Sequence, residues 1–164
     1  MSRQMRIGWT GHRPDLFADP AVAQSRLIIV ATELVRAGAQ AFVTGGQRGV
    51  DTWAALAARD LAVPFTVILP LPMDEFTAEG WTALDREVLQ DLLHVADEVQ
   101  IADGYADRNR RVATSVNLLV AVWTGTRGGG TAETLQFARD ARTPIREVLL
   151  PPSPHIPSAQ DRGV

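Results

Sequence analysis

Six short apolar runs, separated by longer helix-forming segments, constrain the fold of this chain more than any other feature. The runs cover residues 6–9, 41–44, 65–69, 98–101, 118–123 and 145–150. Several are apolar throughout rather than alternating, which is typical of strands covered on both faces by helices. The alternation predicts an α/β, Rossmann-like domain: an open, mostly parallel sheet of about six strands with helices on both faces.

Helix signals lie between the runs. Asp19 is placed to cap a helix over about 21–37, Pro20 lies in its first turn and Gly38 ends it. The other predicted helices cover about 50–61, 81–95, 108–115 and 131–141. We expect one nucleotide-binding domain over 1–150, followed at 151–164 by a proline-rich tail without order.

The amino-acid composition excludes the catalytic and binding sites that need lysine or cysteine. All 16 basic residues are arginines, and the chain has no cysteine. Schiff-base catalysis, a P-loop lysine and cysteine nucleophiles or metal sites are therefore excluded, so phosphate recognition falls to arginines, hydroxyls and backbone amides. The net charge of -3 disfavours a protein built mainly to hold nucleic acid.

The apolar runs are also too short for a membrane protein. A membrane-spanning helix needs roughly 20 apolar residues, and no run approaches that length. The N-terminal residues lack the apolar region of a signal peptide. We therefore expect a cytoplasmic protein that does not associate with membranes.

The segment 118–138 reads as a buried strand that breaks at Gly128, Gly129 and Gly130 and restarts as a helix at Thr131. Unpaired backbone N–H groups, a hydroxyl and the positive end of a helix dipole then meet at one point, which suits a phosphate. No lysine precedes the hydroxyl, so the turn is not a Walker loop. The alternative is a mobile glycine loop before an ordinary helix start.

Polar or glycine-rich turns follow three further strands of the predicted sheet. Ligands of open α/β sheets bind beyond the carboxyl ends of the strands, so these turns are candidates for the same site. Their candidate ligand-binding residues are Thr10, Gly11, His12 and Arg13 after the first strand, Gly45, Gly46, Arg48, Gly49 and Asp51 after the second, and Arg108, Asn109 and Arg111 after the fourth. For the first turn, the alternative is a plain connection with a solvated arginine.

The charged residues of these turns admit more than one role. Asp51 lies in the first turn of a predicted helix, where it caps the helix, binds a ribose hydroxyl or acts as a general base. On a helix Arg108 and Arg111 share a face, whereas Arg110 points elsewhere. At least one of the three arginines is therefore expected to be a solvated surface residue.

The order of these motifs resembles that of the SLOG superfamily of Rossmann-like domains, which includes the YpsA-like proteins, the LOG cytokinin-activating phosphoribohydrolases and the DprA core. The resemblance covers about 8–141 and is carried by GHR (11–13), TGGxxGVDxWAA (44–55), RN (108–109) and LLVAVWxGxxxGGTAxT (118–134). It is strongest with the YpsA-like branch. It implies a nucleotide-derived small molecule bound at the strand ends, with its phosphate on the last glycine turn and no required cofactor or metal. Relatives are often dimers, so it also implies a homodimer.

The sequence departs from the LOG enzymes at their catalytic glutamate. These enzymes release a base from a nucleoside 5'-monophosphate with a glutamate in PGGxGTxxE and an arginine. If Gly130 and Thr131 occupy the GT of that motif, the glutamate position falls on Thr134, and Glu133 lies about 100° round the helix.

Three functional hypotheses follow from the motifs and the resemblance. Binding of a nucleotide-like ligand, as in a sensor, is the leading one. An N-glycosidic hydrolase, with Asp51 and Glu133 as its candidate catalytic carboxylates, is the second. A DprA-like domain for single-stranded DNA is the third, weakened by the net charge and by an aromatic content of 6%.

Overall fold

The computed structural model describes residues 4–154, and within that range the chain forms one six-stranded sheet flanked by six helices. The strands are β1 (Arg6–Gly11), β2 (Ala41–Thr44), β3 (Phe65–Leu69), β4 (Glu98–Ile101), β5 (Leu118–Trp123) and β6 (Ile145–Leu149). The helices are α1 (Pro20–Arg36), α2 (Val50–Asp60), α3 (Met73–Phe76), α4 (Ala83–Val95), α5 (Tyr105–Thr114) and α6 (Gly129–Asp140). No helix of this range is long and apolar enough to cross a bilayer.

The sheet has the strand order β4-β3-β2-β1-β5-β6, and every neighbouring pair is parallel. The predicted α/β class is confirmed, and the sheet is wholly rather than mostly parallel. From β1 the chain proceeds towards one edge through β2, β3 and β4, and it then returns to add β5 and β6 on the other side. The loops after β1 and β5 therefore leave the sheet towards opposite faces and open a crevice between them.

Two hydrophobic cores lie on the two faces of the sheet. Side chains of α1, α2 and α4 pack on one face, where Trp9 lies 5.1 Å from Phe42 between ring centroids. Helices α5 and α6 pack on the other face against residues such as Val43 and Leu119. Successive strand residues alternate between the two cores, as the pleat of a strand requires.

The start of α1 agrees with the predicted signals. Asp19 Oδ1 accepts hydrogen bonds from the backbone N–H groups of Ala21 at 3.1 Å and Val22 at 3.3 Å. Gly38 follows the helix with a φ of +105°, a conformation that favours glycine. The cap, the first-turn proline and the glycine stop are therefore all in place.

Two helices begin earlier than predicted. Helix α5 begins at Tyr105 and α6 at Gly129, each directly after a glycine with positive φ, Gly104 and Gly128. A glycine N-cap has no side chain that marks the boundary, so the sequence signals each helix only at a later residue. The short helix α3 and a 3-10 turn at Pro14–Leu16 were not predicted.

The ordered chain continues past the predicted boundary at residue 150. Ala18 N–H donates to Pro151 O and Ser153 N–H donates to Leu16 O, each at 3.0 Å. Residues 151–153 are therefore held against the turn that follows β1, a long-range pairing that composition does not reveal. The rest of the predicted tail, 155–164, lies outside the described residues.

Candidate functional site

A cleft lies at the carboxyl edge of the sheet, where the loops after β1 and β5 diverge. Twelve of the predicted site residues line it: Thr10, Gly11, His12, Arg13, Gly45, Asp51, Arg108, Asn109, Gly128, Gly129, Gly130 and Thr131. They come from four separate turns of the chain, and the parallel sheet brings those turns to one edge. Within the described chain, no group of three His, Asp or Glu side chains is arranged to hold a metal ion.

The N-terminus of α6 forms one wall of the cleft. Its N-cap residue, Gly128, has φ +78° and ψ 174°, and no side chain caps the helix. The first N–H groups of the helix are therefore free of a side-chain acceptor. Thr131, which is 6% exposed, stands in the first turn and lines the cleft. Amides, a hydroxyl and the helix dipole converge here, an arrangement that suits an anion.

Arg108 is a buried cation in the wall beside this turn. It is 7% exposed, and its guanidinium donates from Nη1 to Gly45 O at 2.5 Å and from Nε to Asn109 Oδ1 at 2.8 Å. No carboxylate of the described chain lies within 4.0 Å of it. Burial lowers the pKa of Arg108, and Asp51 opposes that shift. Arginine stays protonated in proteins, so the cleft contains a positive charge without a contact ion pair.

Asp51 is a buried carboxylate that also lines the cleft. Its Oδ2 accepts a hydrogen bond from the backbone N–H of Gln47 at 3.1 Å. Burial raises the pKa of Asp51 to about 6, against the opposing effects of Arg108 and of the Gln47 hydrogen bond. Gly45 lies between the two charged groups, since a Cβ added there would be 2.7 Å from Arg108 Nη1 and 2.9 Å from Asp51 Oδ2. Only a glycine leaves room for both.

His12 is a neutral polar group of the cleft. Burial, with a smaller contribution from Arg13, lowers the pKa of His12 to about 4, so the ring is uncharged near neutral pH. Its Nε2 lies 3.0 Å from Thr124 Oγ1, which in turn lies 2.5 Å from Thr126 Oγ1. This chain of hydrogen bonds connects the loops after β1 and β5 across the floor of the cleft.

Five predicted residues lie outside the cleft, and each has another role. A Cβ at Gly46 would lie 2.6 Å from Leu69, and one at Gly49 would lie 2.4 Å from His12 O, so both glycines serve close packing. The other three are side chains with partners elsewhere: Arg48 stacks on Trp81, Arg111 forms an ion pair with Asp107, and Glu133 accepts a hydrogen bond from Asn109.

Two of these side chains, Arg111 and Glu133, bear on specific expectations. Asp107 forms ion pairs with both Arg110 and Arg111, and of the three arginines of α5 only Arg108 lines the cleft. Glu133 is exposed, and Thr134 lines the cleft in its place. Of the two candidate catalytic carboxylates, only Asp51 reaches the cleft.

Eight lining residues were not predicted: Trp9, Leu16, Gln47, Val112, Thr124, Thr126, Thr134 and Pro152. Thr124 and Thr126 follow the carboxyl end of β5, as the other candidate residues follow the ends of their strands, so their position in the sequence identifies them. Thr134 occupies the position that the LOG motif gives to glutamate. Leu16 and Pro152 have no local signal, because only the pairing of two distant segments brings them to the cleft.

The chain is similar in fold to several solved structures. No protein-family model and no curated protein matches the chain. Among solved structures, the molybdenum cofactor carrier protein of Chlamydomonas reinhardtii matches with a TM-score of 0.62 and 22% identity, over 88% of this chain and 76% of that one. The molybdenum cofactor binding protein of Rippkaea orientalis matches with 0.58 and 20%, over 90% and 77%.

DNA processing protein A (DprA) of Helicobacter pylori, whose structure concerns binding of single-stranded DNA, is a third match. Its TM-score is 0.63 at 19% identity, over 96% of this chain and 70% of that one. At identities below 25% these matches show the fold alone, and that fold agrees with the one implied by the resemblance stated from the motifs. The YpsA-like branch within the superfamily stays a prediction.

Proposed function

We propose that this protein binds a nucleotide or nucleotide-derived small molecule at the carboxyl edge of the sheet, with a phosphate on the Gly128–Thr131 turn. The observation that carries this proposal is the buried guanidinium of Arg108, which has no carboxylate within contact distance. It stands in the same cleft as a helix N-terminus that no side chain caps. Asp51 acts on this guanidinium only from beyond contact distance, so within the described chain neither positive feature has a carboxylate bonded to it, and an anion from outside can occupy that place.

The energetics support an anionic ligand. A charge removed from water costs several kcal/mol after relaxation, and the hydrogen bonds of Arg108 to Gly45 O and Asn109 Oδ1 offset only part of that cost because neither acceptor is charged. Charge-assisted hydrogen bonds from a guanidinium and from helix amides to a phosphate offset that cost. Asp51 and Gln47, across the cleft, offer an acceptor and an amide to the hydroxyls of a ribose.

The fold neighbours are compatible with this proposal. Two of them are named for a small molecule, the molybdenum cofactor, and one for single-stranded DNA. The two ligands named are thus a small molecule and a nucleic acid. A compact ligand is favoured over a long polyanion, because the net charge of the chain is -3.

Thermal denaturation with AMP, IMP, NAD and ADP-ribose tests the proposal. A ligand at 100 times its dissociation constant should stabilise the protein by about 2.7 kcal/mol, and hence raise its Tm. The Thr131→Val variant keeps the side-chain shape but removes the hydroxyl, and we expect it to bind about tenfold more weakly. Absence of a shift with every compound would remove the main support for a nucleotide ligand, and salt-sensitive binding of single-stranded DNA instead would favour the DprA-like alternative.

An N-glycosidic hydrolase is the second candidate, and the state of Asp51 favours it. The carboxyl group is buried in the cleft, and its pKa of about 6 is suited to proton transfer near neutral pH. The second nominated carboxylate, Glu133, lies outside the cleft, so Asp51 would have to stabilise the oxocarbenium-like transition state alone. Incubation with the same four compounds, followed by chromatography for free base or nicotinamide, tests this activity, and no release from any of them argues against it.

A further inference from the structure

The residues that follow β6 form part of the cleft through an antiparallel pairing with the turn after β1. We call Pro151–Ser153 the strap. Its backbone exchanges two hydrogen bonds of 3.0 Å with the turn, from Ala18 N–H to Pro151 O and from Ser153 N–H to Leu16 O. Phe17 and Pro152 face each other as an isolated β-bridge between these bonds. The strap thus joins two segments that are more than 130 positions apart in the sequence.

Leu16 and Pro152, one from each side of this pairing, both line the cleft. Phe17 fixes their position, because it is 3% exposed and packs with its ring centroid 5.7 Å from His12 and 6.0 Å from Trp53. Leu16 is half-buried and Pro152 is exposed, so their apolar atoms face the open space of the cleft rather than the core. We call these two side chains the apolar wall.

The apolar wall and the phosphate-binding turn lie on different sides of the crevice. Leu16 belongs to the loop that leads into α1, and α1 packs on one face of the sheet. Gly128–Thr131 begins α6, which packs on the opposite face. A ligand with its phosphate on the turn therefore extends towards the wall with its other end. Apolar atoms make no hydrogen bonds to a sugar hydroxyl or a phosphate, but they pack well against a flat ring.

Building on the proposed function, we propose that Leu16 and Pro152 bind the planar ring of the ligand, and that the protein selects ring-bearing phosphate esters over sugar phosphates. The strap then determines specificity, because it holds Pro152 in the wall. Recognition is divided between two ends of the cleft. The turn and Arg108 bind the phosphate that all such esters share, whereas the wall distinguishes a nucleotide from the same sugar phosphate without its base.

Isothermal titration of AMP, IMP and ribose 5-phosphate tests this division. For the natural chain we expect the better of the two nucleotides to bind at least tenfold more tightly than ribose 5-phosphate. Leu16→Ser and Pro152→Ser should each reduce that ratio to about threefold or less and leave the affinity for ribose 5-phosphate unchanged. Leu149→Ser and Pro154→Ser are matched controls, since both residues are exposed and neither lines the cleft, and they should keep the natural ratio.

The outcomes separate the wall from the proposed function. Equal affinity for nucleotide and ribose 5-phosphate in the natural chain, or an equal loss of both ligands in the two variants, would overturn the wall and leave the phosphate site standing. Failure of all three compounds to bind the natural chain would overturn the proposed function, and the wall with it. Thermal melting of each variant checks its folding, and Pro152→Ser, at an exposed position, keeps the test valid if Leu16→Ser does not fold.

Discussion

The two glycine turns at the cleft look alike in sequence but differ in what surrounds them. The turn after β2 is filled by the protein itself, since a Cβ at Gly46 would lie 2.6 Å from a side chain and one at Gly49 would lie 2.4 Å from a backbone carbonyl. The turn after β5 is open. No heavy atom lies within 4 Å of a Cβ built at Gly128, and the nearest to one at Gly125 is 3.6 Å away. The first turn needs glycine for packing, and the second has room for something else.

The backbone amides of the two turns also differ in whether a side chain of the protein accepts their hydrogen bonds. In the first turn the N–H of Gln47 donates to the carboxylate of Asp51, so the protein supplies its own anion. At the second turn no side chain caps the start of α6. Asp51 thus occupies in one turn the place that, under the proposed function, a ligand phosphate would take in the other. A glycine-rich turn is thus evidence for a ligand only where its amides and its space are both unused.

The largest effect is expected when the packed turn is disrupted. Gly49→Ala places a methyl group 2.4 Å from His12 O at a φ of +85°, and we expect it to lower the free energy of unfolding by about 3 to 5 kcal/mol, which urea denaturation measures. Gly38→Ala is the control for strain alone. Gly38 also has positive φ, but nothing lies within 4 Å of its Cβ position, so it should lose only about 1 kcal/mol. Equal losses in the two variants would contradict the packed character of the first turn.

The pH dependence of stability tests whether burial raises the pKa of Asp51. Its folded pKa of about 6 lies above the ordinary 3.8, so its contribution to stability is full below about pH 4 and is lost as pH rises through about 6. His12 acts in the opposite sense, because its folded pKa of about 4 lies below 6.5 and stability rises over the same interval. In the natural chain the two effects largely cancel.

Asp51→Asn removes one of the two opposing contributions. The free energy of unfolding of the variant should rise by about 3 kcal/mol more than that of the natural chain between pH 4 and pH 6.5. Urea denaturation at intervals of half a pH unit measures the difference, and subtracting the natural chain removes the effect of all other groups. Parallel curves for the two proteins would mean that burial does not raise the pKa of Asp51.

The fold was predictable because its signals are local. Most strands contain a short run of apolar residues, and the predicted bounds of β2, β3, β4 and β5 agree with the structure. The boundaries of α5 and α6 were less accurate, since their N-caps are glycines without a capping side chain. The pairing of residues 16–18 with 151–153 was not predictable, because no local pattern records a contact between such distant segments.

The candidate site was predictable as a set of turns but not residue by residue. Spacing placed Arg108 and Arg111 on one face of a helix, yet Asp107 pairs with Arg111 and not with Arg108. Which arginine remains free depends on a neighbour one turn away and on burial, and neither is a property of periodicity. The sequence alone showed that Glu133 does not occupy the glutamate position of the LOG motif, because one position along a helix changes the direction of a side chain by about 100°.

Arg108→Met tests the positive charge that lines the cleft with the open turn after β5. The variant removes the charge but keeps an unbranched side chain, and we expect affinity for the best nucleotide of the thermal-shift panel to fall about 100-fold. Stability should stay within about 2 kcal/mol, because removal of a buried charge offsets most of the loss of the donors to Gly45 O and Asn109 and of the attraction to Asp51. Isothermal titration and urea denaturation measure the two quantities. Arg111→Met, at the surface ion pair, is the control and should bind within twofold of the natural chain.

The smallest effect is expected at the open turn itself. Gly128 and Gly104 are matched N-cap glycines, with φ/ψ of 78°/174° and 93°/-179°, and nothing lies within 4 Å of either Cβ position. Alanine at either should cost about 1 to 2 kcal/mol of stability through backbone strain alone. Only Gly128 lines the cleft, so Gly128→Ala should also weaken nucleotide binding about fivefold, whereas Gly104→Ala should not. Because strain is the same in both, a fivefold loss in both variants would mean that flexibility, not the free space beside the α6 amides, controls binding.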